Sequence, residues 1–235
     1  MPITTTEAVF LAIDPALHTS GAVILTPDYG NGMLGEDPHP FRGDYYANEF
    51  GKVISQSERE RYITTLLELA DELDLPPVII AEEWDGPRDR KIRLAGGELG
   101  WARDPRWTYT TIMGIGEGWG RWSAEIEAAN EFRREDGVPD IILARVLPND
   151  WRDAVFGTHR AKDTESLKAT AVRFFEGVFG YSVMDDIAEA GCIGVYALRH
   201  PPLGEAVSAW VEQRDALDAA AKAKKRAKKA ARKKR

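Results

Sequence analysis

Short apolar runs separated by turns open the chain and predict β-strands. The first run is Val9-Phe10-Leu11-Ala12-Ile13 and the second is Gly21-Ala22-Val23-Ile24-Leu25. Both have the length and the apolar character of buried strands. A third, weakly alternating run covers residues 44–50. Because the three runs are short and are joined by turns, we expect them to form an antiparallel meander.

Helical and strand periodicities alternate in the rest of the chain. Ser57 and Glu60 have the spacing of a capping box, and apolar residues recur at helical spacing behind them. The pattern predicts helices over 57–73, 111–134, 164–175, 185–198 and from about residue 205 onward, and strands over 78–81 and 141–146. This order predicts an α/β fold with a mixed five-stranded sheet. Three antiparallel strands are followed by parallel crossovers, and helices cover both faces.

The segment 84–110 has no periodicity and is long for a loop inside a compact domain, which is typical of functional or disordered segments. Its basic residues alternate with Trp101 and Trp107, as in elements that clamp a nucleic-acid strand. An ordinary surface loop is the alternative, because acidic residues also occur there. The basic residues are Arg88, Arg90, Lys91, Arg93, Arg103 and Arg106.

Charge is distributed unevenly along the chain. The net charge is −7, but residues 219–235 contain ten of the 31 basic residues and no acidic one. The other residues therefore combine 21 basic with 38 acidic side chains, a net charge of −17. This asymmetry predicts an acidic domain of residues 1–203 and a C-terminal helix with a basic tail, residues 204–235. Such a tail has affinity for polyanions that falls steeply with salt, or is simply solvated.

The composition also bears on the compartment. A single cysteine, Cys192, excludes an internal disulfide framework and fits a reducing compartment. The first residues do not have the pattern of a signal peptide, and no apolar run approaches the ~20 residues of a membrane helix. We therefore expect a cytoplasmic protein without a membrane partner, with Cys192 buried as a small apolar residue.

Acidic residues follow two of the predicted strands. Asp14 ends the first strand, and Glu82 directly follows the run 78–81. If the two strands are parallel neighbours, their carboxyl ends meet at the edge where α/β sheets usually bind ligands. Asp14 would otherwise be an ordinary turn cap. Glu83 lies on the opposite face from Glu82, because side chains alternate along a strand.

A third acidic group lies on the predicted helix 185–198. Asp186 and Glu189 are three residues apart and share one helix face, beside apolar residues that indicate packing into the core. Acids at such a position need a cationic partner, and oxygen ligands alone suit Mg²⁺ or Mn²⁺. A solvated acidic first turn is the alternative. With Asp14 and Glu82, the pair predicts a two-ion site for phosphodiester hydrolysis.

Several short motifs between residues 9 and 198 resemble those of RuvC-like Holliday junction resolvases. The stretch 10–15 with Thr19-Ser20-Gly21 resembles the opening motif of that family, and Ile80-Ala81-Glu82 resembles its second acidic motif. The stretch 186–190 with Ile193 resembles the closing acidic helix. The residues that resemble phage and other distant members are Val146, Pro148, Trp151, Arg152, Gly157, Lys168 and Ala169.

The resemblance implies an RNase H-like fold, a homodimer and paired, Mg²⁺-dependent nicking of four-way DNA junctions, with Mn²⁺ as a substitute. It implies two ions per site, and the implied metal ligands and catalytic acids are Asp14, Glu82, Asp186 and Glu189. It also implies that Lys168 lies near the scissile phosphate and that Trp84 stacks on bases. With Trp84, the segment residues Arg88, Arg90, Lys91 and Arg93 are the predicted DNA contacts.

The chain departs from the family pattern at two positions. Ala16 replaces a typical glycine, and Glu189 replaces the usual aspartate, which lengthens that ligand by one methylene. Glu189 would therefore bind a metal directly or through water, with Asp185 as a neighbouring candidate. A catalytically inactive junction-binding relative is the first alternative. An ATP-handling protein of the actin-like class is the second, but the sequence supplies only one of the two small-residue turns that this class needs.

Overall fold

The structure is a computed structural model that describes residues 7–15, 19–27, 40–41, 45–83, 89–93, 99–103, 109–157, 164–198 and 201–233. Its strands are β1 (Val9–Asp14), β2 (Ser20–Pro27), β3 (Pro40–Phe41), β4 (Tyr45–Val53), β5 (Pro77–Glu82), β6 (Asp89–Arg93), β7 (Leu99–Arg103) and β8 (Ile142–Val146). Its helices are α1 (Gln56–Leu73), α2 (Tyr109–Glu135), α3 (Pro148–Phe156), α4 (Thr164–Phe179), α5 (Asp185–Ala197) and α6 (Pro201–Lys233).

Six strands form one sheet in the order β3-β4-β2-β1-β5-β8. The pairs β1–β2 and β2–β4 are antiparallel, whereas β1–β5 and β5–β8 are parallel. This arrangement confirms the predicted meander followed by parallel crossovers. The two-residue strand β3 only extends the edge next to β4. The five longer strands therefore form the mixed sheet of an RNase H-like α/β fold.

The start of α1 differs from the prediction. Ser55, not Ser57, is the N-cap: its hydroxyl accepts a hydrogen bond from the Glu58 backbone N–H, and the Glu58 carboxylate accepts one from the Ser55 backbone N–H. Ser57 and Glu60 have the same spacing, but they already lie inside the helix. The Ser55 pair therefore starts the helix two residues earlier, and either pair fits the capping-box pattern in sequence.

The hairpin of β6 and β7 and the helix α3 were not expected from the periodicity. Strands β6 and β7 pair as a separate antiparallel hairpin within the segment 84–110. Helix α3 begins at Pro148, which we interpreted only as the end of strand β8. Proline suits the first turn of a helix, because the N–H that it lacks has no partner there. The same residue therefore ends the strand and starts the helix.

The sheet separates two apolar cores. Side chains alternate along β1, so Phe10 and Ala12 pack on one side, and Leu11 and Ile13 on the other. Helices α3, α4 and α5 cover the first side, whereas α1 and α2 cover the second. Trp122 of α2 is 1% exposed in the second core. Trp122 is therefore a core residue.

Helix α5 packs closely on the sheet and on α4 because of its small residues. A Cβ atom at Gly194 would lie 2.6 Å from Cδ1 of Leu25, and one at Gly191 would lie 2.4 Å from a ring carbon of Phe175. Cys192, between the two glycines, is completely buried, which confirms the prediction for it. The close packing brings the acidic first turn of α5 to the ends of the central strands.

Helix α6 begins at Pro201 and packs on the domain through its first turns. Leu203, Val207 and Trp210 are buried, and the indole nitrogen of Trp210 donates a 2.8 Å hydrogen bond to the carbonyl oxygen of Asp140. Every residue over 215–229 is exposed. In the ranges that the structure describes, no helix combines the length and the apolar character that crossing a membrane requires.

Candidate active site

Asp14 and Glu82 are the last residues of two neighbouring parallel strands. In the register of β1 and β5, Ile13 lies opposite Ala81, so the residues that follow them lie side by side at the same edge of the sheet. Asp14 and Glu82 are both half-buried there. The strand order thus brings together two acids that are 68 positions apart in the sequence.

The electrostatics of Asp14 tie it to three other acids. Burial, and then the negative charges of Glu189, Glu82 and Asp186, raise the pKa of the Asp14 carboxyl well above its usual value. The positive charge of Arg152 offsets only part of this rise. Repulsion of this kind is typical of carboxylates that share one site. We call the four acids Asp14, Glu82, Asp186 and Glu189 the carboxylate cluster.

The first turn of α5 lies directly against β2. A Cβ atom at Gly21 would lie 1.9 Å from the carbonyl oxygen of Asp186, so a residue with a side chain cannot occupy this position without displacing the helix. Thr19 donates a 3.0 Å hydrogen bond from its hydroxyl to Oδ2 of Asp186. The Thr19-Ser20-Gly21 motif therefore both admits α5 and orients the Asp186 carboxylate.

Two lysines contact the acids of α5. The Nζ atoms of Lys52 and Lys168 lie 3.5 and 3.8 Å from the two carboxylate oxygens of Asp186. Lys168 also donates a 2.6 Å hydrogen bond to Oδ2 of Asp185, and this bond lowers the pKa of Asp185. Burial opposes the charge of Lys168, but Asp185 and the acids around it raise the pKa of Lys168 overall. Asp185 is therefore paired with Lys168, outside the cluster.

Helix α3 holds the carboxylate of Glu82. The indole nitrogen of Trp151 donates a 2.7 Å hydrogen bond to Oε2 of Glu82, and Nη2 of Arg152 lies 3.4 Å from the same oxygen. Trp119 of α2 donates a 3.1 Å hydrogen bond to the backbone carbonyl of Glu82. Burial raises the pKa of Glu82, whereas Arg152 and the Trp151 bond lower it in part. Both the orientation and the charge of Glu82 thus depend on α3.

Glu189 is the most deeply buried member of the cluster. The residue is 7% exposed, and burial is the largest cause that raises the pKa of its carboxyl to about 7. Arg152 opposes the rise, because its Nη2 atom lies 3.4 Å from Oε1 of Glu189, whereas the negative charge of Glu82 adds to it. Arg152 therefore contacts two acids that come from different elements, β5 and α5.

No role in the site was predicted for Lys52, Trp151 or Arg152. The sequence does contain a signal for Trp151 and Arg152, because a proline such as Pro148 after a strand is a typical helix start. The helix that starts there carries both residues next to Glu82. Lys52 has no comparable signal. It reaches Asp186 because β4 pairs with β2 in a register that sets Lys52 opposite Gly21.

The donors of the cluster fit a hard divalent cation, because carboxylate oxygens are the ligands that Mg²⁺ and Mn²⁺ prefer. Within the described residues, however, no three histidine, cysteine, aspartate or glutamate side chains lie close enough together to enclose a metal ion. Cations of the chain lie among the acids instead: Arg152 contacts Glu82 and Glu189, and the lysines contact Asp186. The donor atoms of the cluster thus suit a divalent cation, and in the structure the chain's own cations contact Glu82, Glu189 and Asp186.

The predicted DNA contacts fall in the segment 84–110. Trp84 and Arg88 lie outside the described residues. Arg90, Lys91 and Arg93 belong to strand β6, of which the structure describes the backbone. A role in DNA binding stays a prediction for all five residues.

Comparisons with known proteins find matches among solved structures. No protein family profile and no curated protein sequence matches the chain. The structure of RuvC from Thermus thermophilus is 16% identical, with a TM-score of 0.45 over 83% of this chain and 96% of that chain. T. thermophilus RuvC in complex with a Holliday junction substrate is 12% identical, with a TM-score of 0.46 over the same shares. The yeast mitochondrial Holliday junction resolvase Ydc2 is 13% identical, with a TM-score of 0.36 over 92% of this chain and 84% of that chain.

Proposed function

We propose that the chain is a metal-dependent, structure-selective endonuclease that resolves Holliday junctions or other branched DNA by paired phosphodiester nicks. The observation that carries this proposal is the carboxylate cluster, whose members come from β1, β5 and α5. The raised pKa of Asp14 supports it, because the negative charges of three acids act on its carboxyl. The motifs that resemble those of RuvC-like resolvases also support it, because they contain all four acids.

In this proposal the cluster would hold two Mg²⁺ ions, for which Mn²⁺ substitutes. The proposed ligands are Asp14, Glu82, Asp186 and Glu189. When bound, such ions supply Lewis-acid stabilisation of the charge that develops on a phosphodiester during hydrolysis.

Other residues of the chain position the acids and add positive charge. Trp151 orients Glu82, and Thr19 orients Asp186, through the hydrogen bonds that they donate. Lys168 keeps its charge at the outer side of α5, because hydrogen bonding to Asp185 raises the pKa of the ammonium group. We propose that this charge meets the scissile phosphate and stabilises it during cleavage.

The substrate would be bound by the segment 84–110 and by the basic end of α6. The proposed contacts in the segment are Trp84, Arg88, Arg90, Lys91 and Arg93. Aromatic stacking and phosphate contacts together favour bases that are exposed at a branch point. Paired nicks on opposed strands require two sites, so the proposal includes a homodimer with twofold symmetry.

The experiment that tests this function is incubation with a synthetic four-way junction and Mg²⁺, with linear duplex of the same sequence as the control. We expect symmetric nicks on two opposed strands of the junction and none in the duplex. The Asp14→Asn variant should lose nicking by more than about a hundredfold and keep its affinity for the junction, because loss of a ligand costs at least as much as loss of its supporting contacts. Equal cutting of junction and duplex would contradict the proposal.

One observation favours a second candidate, a catalytically inactive protein that binds junctions. Arg152 lies between Glu82 and Glu189, and within the described residues no three acids are close enough to enclose a metal. Such an ion pair stabilises the two acids without a metal, because Arg152 supplies the positive charge that they need. Tight junction binding without nicking by the unmutated protein, in either Mg²⁺ or Mn²⁺, would decide for this candidate.

A further inference from the structure

We propose that Arg152 is an internal counter-ion that competes with divalent cations for Glu82 and Glu189. Its guanidinium would neutralise the two carboxylates in the metal-free protein and leave them when a divalent cation binds. The inference rests on the proposed function in one respect, since it requires that the carboxylate cluster binds a divalent cation.

The geometry of Arg152 is that of one cation shared by two acids. Its Nη2 atom lies 3.4 Å from Oε2 of Glu82 and 3.4 Å from Oε1 of Glu189. Charge-assisted hydrogen bonds are normally about 2.7–2.9 Å long. Both contacts are therefore attractive but loose, and one atom supplies both. A more compact cation with a higher charge would satisfy the same two oxygens better.

The rest of the Arg152 side chain is imperfectly satisfied. The guanidinium carbon lies 4.8 Å from the ring centre of Trp151, at a distance that suits a cation–π contact. The Nε atom of Arg152 is buried and has no hydrogen-bond partner among the described residues. A buried donor without a partner costs free energy. Arg152 therefore stays at this place because the two acids need a positive charge. Its own hydrogen bonds hold it there only weakly.

The other cations of the site form their ion pairs with other acids. Lys168 is paired with Asp185 and lies near Asp186, and Lys52 is paired with Asp186. In the part of the chain that the structure describes, Arg152 is the one basic residue that forms an ion pair with Glu82 or Glu189. When Arg152 moves away, both carboxylates become available to a metal ion. While Arg152 contacts them, it competes with the metal ion for their oxygens.

Competition by Arg152 has an effect on metal affinity that is opposite to the effect of a residue that only positions a ligand. A residue that only positions a ligand increases metal affinity, so its removal weakens binding. A residue that competes for the ligand decreases metal affinity, so its removal strengthens binding. Removal should also destabilise the metal-free protein, because two buried carboxylates lose their counter-ion.

The test is calorimetric titration with Mn²⁺ in the absence of DNA, combined with thermal unfolding of the metal-free and Mn²⁺-loaded protein. The variants are Arg152→Gln, Arg152→Lys and, as a matched control, Arg145→Gln. Arg145 lies on β8 and carries the same charge, and its guanidinium lies over the ring of Trp119. Among the described residues it forms no ion pair with Glu82 or Glu189. Comparison with Arg145→Gln separates competition at the ligands from a general change of charge.

We expect Arg152→Gln to bind Mn²⁺ at least about tenfold more tightly than the unmutated protein, with a lower melting temperature without metal and a larger rise on adding it. The Mn²⁺ affinity of Arg152→Lys should lie between those of the unmutated protein and Arg152→Gln. Arg145→Gln should change the Mn²⁺ affinity less than about twofold. Unchanged or weaker Mn²⁺ binding by a folded Arg152→Gln or Arg152→Lys variant would overturn the inference and leave the proposed nuclease intact. Absence of Mn²⁺ binding in every variant would overturn the metal-dependent function itself.

Discussion

The indole nitrogen of Trp151 donates a 2.7 Å hydrogen bond to Oε2 of Glu82, and this bond joins α3 to the last residue of β5. Trp151 is completely buried and packs edge-to-face against Phe156, with ring centres 5.8 Å apart. The indole therefore cannot turn away from the carboxylate without disturbing the core. An acid at the edge of the sheet is in this way oriented by a side chain that the core holds in place.

Replacement of Trp151 by phenylalanine should weaken the site more than the fold. Trp151→Phe keeps an aromatic ring but removes a donor to a charged acceptor, an interaction of about 1.5–3 kcal/mol. Because the lost bond favours the ionised form, the pKa of Glu82 should rise further above its usual value. The acid side of the pH–rate profile for junction nicking should shift to higher pH by the same amount.

The matched control for this prediction is Trp122→Phe. The indole nitrogen of Trp122 donates a 3.0 Å hydrogen bond to the hydroxyl of Ser20, in the core on the other side of the sheet. This variant should lose stability to a similar extent in urea denaturation and keep the pH–rate profile. A shift of equal size in both variants would contradict the role given to Trp151.

The stability of the metal-free protein should depend on pH through Glu189. The folded protein keeps a proton on this carboxyl up to about pH 7, whereas the unfolded chain loses it near the ordinary pKa of 4.5. Between these values the folded state binds more protons, so the free energy of unfolding falls as pH rises, by up to about 3 kcal/mol. The raised pKa values of Asp14 and Glu82 act in the same direction.

Urea denaturation from pH 4.5 to pH 8 with a metal chelator measures this dependence. The Glu189→Gln variant should be less sensitive to pH over the same range, because the amide does not titrate. An identical pH dependence in the variant and in the unmutated protein would show that Glu189 is not the group responsible.

Gly21 should not tolerate alanine. The new Cβ atom would lie 1.9 Å from a backbone oxygen of Asp186, and since backbone cannot move aside locally, α5 would have to shift. We expect Gly21→Ala to destabilise the protein by at least about 3 kcal/mol. The control is Gly177→Ala in α4, where a Cβ atom meets nothing within 4 Å, and there we expect a gain of about 0.5–1 kcal/mol. Similar unfolding midpoints for the two variants would refute the close approach.

Lys168 should contribute to cleavage and little to binding. If its ammonium group stabilises the phosphate during hydrolysis, Lys168→Gln should slow single-turnover nicking by about a hundredfold. Its affinity for the junction should change less than about threefold, since one phosphate contact is lost among many. Arg173→Gln removes the same charge from an exposed position of the same helix and should leave the rate unchanged. If the nicking rate of Lys168→Gln fell only as much as its affinity for the junction, Lys168 would have no separate role in cleavage.

Removal of residues 219–235 should weaken DNA binding through electrostatics alone. The deletion takes away ten basic residues, so the slope of log affinity against log salt concentration should become smaller by several units. The loss should be equal for junction and duplex DNA, because phosphate contacts carry no structural information. Fluorescence anisotropy at several salt concentrations measures both quantities. A loss confined to the junction would mean that the tail recognises its shape.

The central strands could be predicted from sequence because they are buried on both faces. All residues of β2 and all but the last of β1 and β5 are buried, and such strands appear as unbroken apolar runs. The hairpin of β6 and β7 lacks this pattern, since charged residues such as Arg90 and Lys91 occupy it. Helix α3 was missed for another reason, because a proline after a strand fits both a stop and a helix start.

The acids of the site could be predicted because strand order and helical spacing alone bring them together. Asp14 and Glu82 follow from the parallel pairing of β1 and β5, and Asp186 and Glu189 from their separation of three residues. The contacts of Arg152 could not be predicted in this way. They depend on how α3 packs against β5 and α5, which is a property of the tertiary structure and leaves no periodic trace in the sequence.

The free end of α6 also sets a length scale for the substrate. The stretch 215–233 continues as helix beyond the last buried residues, and at 1.5 Å per residue it is about 28 Å long. Base pairs stack about 3.4 Å apart, so this helix laid along a duplex spans about eight base pairs. Junction arms shorter than that would leave some tail charges without a phosphate, and arm length would then determine how strongly salt affects binding.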